Sequence, residues 1–201
     1  RGEPVPVYVL RGTDPFLLAK GRATVRERTI GDADPGLALA EFDGAEAAVA
    51  DVLDALRTLP LLADRRLVLI RDADAFLNAG TRPLLEKYLD EPSEAGVLCL
   101  EVGSWNPSTR LAKAVSQVGL VVACEADKPN MIPAWLQKQA ESQFGKTLTF
   151  EAAQMLQAFL GNDFAALTHA LDALALYVGQ ADLIEATHVD ALVARGHHER
   201  V

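Results

Sequence analysis

The chain has 201 residues and a formal net charge of −9. Half of its residues are hydrophobic and 23% are charged, which excludes a disordered chain and suits one large or two small globular domains. The acidic balance argues against a chain that grips nucleic acid unaided, because each phosphate contact draws on a Lys or Arg.

No apolar run approaches the length needed to cross a bilayer, and the first residues lack the pattern of a signal peptide. A cytoplasmic protein without a membrane partner is expected. Cys99 and Cys124 sit in apolar, strand-like runs and read as buried reduced thiols, with a disulfide between neighbouring strands as the alternative. No Cys or His cluster has metal-ligand spacing, and neither a metal nor a cofactor is expected. His197-His198 reads as part of a frayed tail.

Val5-Pro6-Val7-Tyr8-Val9-Leu10 predicts a first strand ending near Gly12. Thr13 or Asp14 can cap the next helix, with Pro15 in its first turn. That helix places Phe16, Leu17, Leu18 and Val25 on an apolar side and Lys20, Arg22, Arg26 and Arg28 elsewhere. A turn over 32–36 leads to a short strand over 37–42. A helix over 45–56 follows, with Val49, Val52, Leu53 and Leu56 at helical spacing. Leu67-Val68-Leu69-Ile70 is apolar at every position, as in a parallel strand buried on both faces. A loop over 75–80, a helix over 82–90 and a strand over 97–100 come next. Asn106 is the expected cap of a helix reaching Leu111 and Val115, and 119–124 is the last strand. Strand and helix alternate, which predicts a three-layer α/β sandwich on a mostly parallel five-stranded sheet.

After Lys128-Pro129-Asn130 the pattern changes. Four helical runs, 132–144, 150–160, 164–178 and 185–194, are predicted with no strand among them. Thr149 and Asp163 are the expected caps. A small helical bundle is therefore expected.

Between the helix over 45–56 and the apolar strand lies Leu59-Pro60-Leu61-Leu62-Ala63-Asp64-Arg65. Turns usually carry Gly, Asn, Asp or Ser, which tolerate the backbone angles or bond their own backbone. Three leucines around a proline either fold into the core or wait on the surface for a partner.

An α/β domain followed by a helical bundle raises the question of a nucleotide-driven motor. A phosphate-binding loop needs GxxxxGK[ST] after the first strand. Gly12 is in place, but Thr13-Asp14-Pro15-Phe16-Leu17-Leu18-Ala19 supplies no second glycine, lysine or hydroxyl where the motif requires them. Asp14 repels phosphate and Pro15 lacks an N–H. The buried strand is followed by Arg71-Asp72 with no adjacent acidic pair, so Asp72 and Asp74 read as a solvated strand end. No GxSxG elbow and no catalytic triad is visible, so no catalytic residue is assigned.

The segment Tyr8-Val9-Leu10-Arg11-Gly12-Thr13-Asp14-Pro15-Phe16-Leu17-Leu18 resembles the opening of the DNA polymerase III delta subunit family, a bacterial clamp-loader component. Leu61-Leu62-Ala63-Asp64-Arg65-Arg66-Leu67-Val68 resembles that family's bend and buried strand. Pro107-Ser108-Thr109-Arg110-Leu111-Ala112-Lys113-Ala114, Ile132-Pro133-Ala134-Trp135-Leu136 and Gly161-Asn162-Asp163-Phe164-Ala165-Ala166-Leu167 also match, in order, over nearly the whole chain.

The resemblance implies an AAA+-like base domain without a phosphate loop (1–128), a helical lid (129–195) and the start of a linker to a collar domain (196–201). It implies a subunit that hydrolyses no ATP itself, although the family is grouped with DNA-directed DNA polymerases, a class of nucleotidyltransferases. The implied partners are the sliding clamp, the other loader subunits, and DNA through the complex. The family binds the clamp and opens its ring through adjacent apolar residues, which on this chain are Leu61 and Leu62. Pro60, Arg57 and Arg65 flank them, with Arg66 as a further rim residue. Where the family often has an aromatic second residue this chain has Leu62, and where it usually has an acid in the third lid helix this chain has His169-Ala170-Leu171-Asp172. Arg110 and Lys113 are candidate DNA contacts. The rival readings are an ATP-hydrolysing relative and a purely structural loader subunit like delta-prime, whose Ser-Arg-Cys finger has no counterpart here.

Overall fold

The structure, a computed structural model, describes residues 3–60, 63–125 and 129–198. The chain divides into two compact units, the first ending at Glu125.

In the first unit strands and helices alternate: β1 (Val7–Arg11), α1 (Pro15–Thr29), a short α2 (Pro35–Ala38), β2 (Leu39–Asp43), α3 (Val49–Arg57), β3 (Arg66–Arg71), α4 (Thr81–Asp90), β4 (Gly96–Val102), α5 (Arg110–Val118) and β5 (Gly119–Ala123). The strands form one parallel sheet in the order β2-β3-β4-β1-β5. This is the expected AAA+-like architecture, a parallel sheet between helical layers.

The period of two along each strand decides which side chains meet which layer. Val7 and Val9, Val68 and Ile70, and Leu98 and Leu100 face α3, α4 and α5, whose Val52, Leu56, Leu85, Leu89, Leu111 and Val115 complete one core. The alternate residues Tyr8, Leu10, Leu69 and Cys99 face the layer that holds α1. All seven residues of the central β4 are buried. Fully burying one such leucine or valine stabilises the fold by about 1.5–3 kcal/mol.

Local chemistry sets the helix ends. Asp14 Oδ1 accepts from the Leu17 N–H at 2.8 Å, with Pro15 in the first turn of α1. Asp34 caps α2 in the same way, so the segment expected as a plain turn holds one helical turn. α3 starts at Val49 rather than near 45, because the Asp43 side chain and carbonyl accept from the Ala45 and Ala47 N–H groups and hold a turn there. Asn106 does not cap α5. Its Oδ1 accepts from Ser108 N at 2.9 Å to form a preceding turn, and Thr109 Oγ1 caps the helix by accepting from Ala112 N at 3.1 Å.

The second unit begins with a 3₁₀ turn (Pro129–Met131), then α6 (Ile132–Phe144), β6 (Thr147–Leu148), α7 (Phe150–Leu160), α8 (Phe164–Tyr177), β7 (Leu183–Ile184) and α9 (Ala186–His198). Leu136, Leu148, Leu156, Leu171 and Ile184 are fully buried at its centre. Two short strands correct the strand-free expectation. β6 and β7 pair in parallel, Thr147 with Leu183 and Leu148 with Ile184, and Lys146 Nζ ties down the approach to β7 by donating to the Gly179 and Ala181 carbonyls at 2.8 and 2.7 Å. α9 runs on to His198, beyond the helix end expected at Ala194.

Thr149 and Asp163 cap α7 and α8 as expected, accepting from Ala152 N at 3.2 Å and Ala166 N at 3.0 Å. Asp163→Ala leaves a first-turn N–H without its side-chain partner. It is expected to destabilise the second unit by about 1 kcal/mol, read as faster amide exchange in α8 with β1–β5 unaffected.

Candidate functional site

The apolar bend is held firmly on both flanks. α3 ends at Arg57, where Thr58 turns back and gives both its N–H (3.0 Å) and its Oγ1 (2.7 Å) to the Asp54 carbonyl. Leu59 then projects into solvent, 72% exposed. Pro60 is buried and Arg57 exposed. On the far side, half-buried Arg65 donates from Nη1 to the Pro4 carbonyl at 3.0 Å, and the Arg66 N–H donates to the Ala95 carbonyl at 2.7 Å. Arg65 therefore braces the base of the bend as well as lining it. Leu61 and Leu62 lie outside the described residues.

At the opposite ends of the strands is a crevice of about 390 Å³, lined by Gly12, Thr13, Arg22, Asp72, Asp74, Glu101 and Gly103 among others. In open α/β sheets ligands bind where neighbouring strands send their following helices to opposite faces. Here those strands are β1 and β4, followed by α1 and α5. Several N–H groups at this end of β1 are engaged within the chain. Gly12 N–H donates to the Val102 carbonyl at 2.9 Å, Leu17 N–H to Asp14 Oδ1 and Leu18 N–H to the Asp14 carbonyl, and Pro15 has none. Gly12, at φ 145°, lies so close to the next chain crossing that a Cβ there would meet the Cys124 carbonyl oxygen. Its glycine serves that crossing.

Two carboxylates of this crevice have structural work. Asp74 is not an idle strand end: its Oδ2 accepts from Gly103 N at 2.7 Å and its Oδ1 from Ser104 N at 3.4 Å, which pins the turn after β4. Glu101, buried in β4, accepts from Arg22 Nη1 of α1 at 2.9 and 3.0 Å. Burial pushes the Glu101 carboxyl above its usual range, and the Arg22 bonds and charge pull it only partly back. The sequence carried a signal for this pair, a single acid inside an apolar strand, since a buried charge requires a partner.

A raised carboxyl binds its proton more tightly in the folded chain. The stability from that proton is complete below the unfolded value and is lost as pH rises through the folded one. Wild type is therefore expected to lose stability against Glu101→Gln as pH rises from the usual carboxylate range to the raised Glu101 value. Paired urea titrations check this. Cys99 and Cys124 are buried free thiols; burial pushes Cys124 up to about 11 and raises Cys99 further. Neither is a thiolate nucleophile at neutral pH.

Arg110 and Lys113 are both exposed on α5. Among the described residues, no group of three or more His, Cys, Asp or Glu could hold a metal ion, and no helix is long and apolar enough to cross a membrane.

A parallel five-stranded sheet between helical layers, followed by a mainly helical unit, defines the fold class. The family model of the DNA polymerase III delta subunit matches residues 8–125. The chain belongs to that family. The DNA polymerase III subunit delta of Bacillus subtilis (strain 168) is 22% identical over 211 residues, covering all of this chain and 60% of that protein. The solved structure of the Bacillus subtilis DNA clamp loader delta protein has the same fold, with a TM-score of 0.83 and 21% identity over 94% of this chain and 58% of that one. The chain thus spans about three-fifths of the length of these relatives.

Proposed function

We infer that this chain binds the sliding clamp of the replicative polymerase and opens its ring through the bend after α3, without hydrolysing ATP itself. The observation that carries the inference is the combination of membership in the delta family with an apolar bend whose flanks are braced and whose first residue, Leu59, is exposed. On this reading Leu61 and Leu62 insert into an apolar groove on the clamp, with Pro60, Arg57 and Arg65 flanking them in sequence. The other loader subunits are further partners, with DNA reached through the assembled complex, in the cytoplasm. Titration of immobilised clamp with this chain in nucleotide-free buffer tests the inference. Saturable binding supports it. A folded chain that shows no binding, or saturable binding and hydrolysis of ATP by the chain alone, overturns it.

Arg110 and Lys113 are the proposed phosphate contacts of α5. Each phosphate neutralised steepens the fall of log affinity with log salt by about 0.9. Replacing both with Ala in the assembled loader is expected to make that fall shallower by about two; an unchanged slope makes them ordinary solvated surface.

A further inference from the structure

The two edges of the five-stranded sheet differ in how they are protected. A strand edge exposes unpaired N–H and C=O groups, and proteins blunt such edges with charge, proline or a bulge. β2, one edge, carries exposed Glu41 and Asp43. β5, the other edge, reads Gly119-Leu120-Val121-Val122-Ala123 and has none of these devices. It pairs with β1 residue for residue, without a bulge, and no charged residue lies between Lys113 and Glu125. Leu120 is nevertheless 46% and Val121 41% exposed. Among the described residues no strand pairs with the outer side of β5.

The register fixes which groups face outward. The Cys124 N–H donates to the Arg11 carbonyl at 2.6 Å, on the β1 side. Backbone groups alternate sides along a strand, so those of Leu120 and Val122 also face β1, and those of Gly119, Val121 and Ala123 face away from it. The Gly119 N–H is taken by the Val115 carbonyl at the end of α5. Side chains alternate between the sheet faces. Val121, beside Val9, stands on the face that carries α3, α4 and α5, and Leu120, beside Tyr8, on the α1 face. The strand that completes this edge is therefore extended, uncharged and apolar on both faces. β5 itself meets that description.

We propose that this edge pairs antiparallel with β5 of a second copy of the chain, about a two-fold axis through Val121. Val121 exchanges N–H···O=C bonds with its copy, each Ala123 N–H donates to the Gly119 carbonyl opposite, and Leu120 packs on Val122 across the axis. The pairing is self-complementary and closes at two copies. Two five-residue strands make a contact well below the about 1,600 Å² of a standard interface, so the dimer is weak and forms at high concentration. The proposal does not depend on the role of the bend.

Sedimentation of the 201-residue chain from about 10 μM to about 1 mM, the range in which so small an interface binds, should show monomer passing to dimer and no larger species. Each copy carries a formal charge of −9, so dimerisation should tighten as salt screens the repulsion. Val121→Lys, at an exposed position, should abolish it in a chain that retains its amide spectrum. Cross-linking reads the register. The two Val121 Cα atoms should stand about 5.5 Å apart, within the roughly 4.4–6.8 Å that a disulfide spans. The two Ala123 Cα atoms lie four residues out of register, about 14 Å apart. Mild oxidation should therefore cross-link Val121→Cys and not Ala123→Cys; the native Cys99 and Cys124 are buried. A chain that stays monomeric at about 1 mM, association that survives Val121→Lys or weakens with salt, or Ala123→Cys cross-linking as readily as Val121→Cys overturns the proposal.

Discussion

Replacing Leu61 and Leu62 together with serine is expected to weaken clamp binding at least ~100-fold in a chain that still folds. Burying two leucines in an apolar groove is worth roughly 3–6 kcal/mol by transfer, and each 1.4 kcal/mol is about a factor of ten in affinity. The lower end of that range already gives the stated loss. Residues of this kind dominate binding when they sit at the centre of an interface and exclude water. The fold should survive because the elements beside the bend are held by other groups: Thr58 on Asp54, buried Pro60, Arg65 on Pro4 and Arg66 on Ala95. Isothermal titration against the clamp, with circular dichroism as the control for folding, reads the effect. A folded double variant with wild-type affinity would remove the bend from the mechanism.

The second large effect concerns Arg22. Arg22→Ala leaves Glu101 buried in β4 with its principal partner gone. Breaking a buried ion pair costs about 3–5 kcal/mol, and because the Arg22 side chain is 36% exposed we expect about 2–3 kcal/mol at neutral pH. The pH dependence identifies the cause. Removing Arg22 raises the Glu101 carboxyl further, and a protonated carboxyl no longer needs a cation. The deficit of Arg22→Ala against wild type should therefore shrink on acidification toward the usual carboxylate range. Replacing both partners with apolar residues, Arg22→Met with Glu101→Leu, should recover most of the loss. Urea unfolding followed on the first unit measures all three variants. An Arg22→Ala deficit that is the same at every pH would mean that lost packing of the arginine stem, not the unpaired carboxylate, is responsible.

Much of the fold was legible because it depends on local chemistry. Asp14 with Pro15, Thr149 and Asp163 announce helix starts through side-chain acceptors that need no tertiary context, and the helices at 132–144 and 150–160 end at glycines. The apolar runs at 67–70 and 97–100 announced buried parallel strands for a similar reason. What escaped depends on partners distant in sequence. Asn106 has the chemistry of a cap, but Thr109 lies three residues closer to the apolar stripe of α5 and takes that role. Two-residue strands such as β6 and β7 are too short to display alternation, and their pairing joins segments 36 residues apart, Thr147 to Leu183. Asp74 read as a solvated strand end because its partner, Gly103, is brought to it only by the fold, and the partner of Glu101, Arg22, is likewise distant in sequence.

The candidate site was legible in part. The apolar bend stood out by composition alone, and the missing phosphate loop by its motif. That the Gly12 N–H is engaged by the Val102 carbonyl could be seen only in three dimensions. The two features lie at opposite ends of the strands, the crevice after β1, β3 and β4 and the bend before β3.

Ring opening tests the proposed function most directly. The clamp is labelled with a fluorophore pair across one subunit interface, and this chain is added without nucleotide. Separation of the pair is expected with wild type, saturating with clamp binding, and not with the Leu61→Ser, Leu62→Ser double variant. An interface that stays closed while the chain is fully bound, or that opens only when ATP is hydrolysed by this chain, would contradict it.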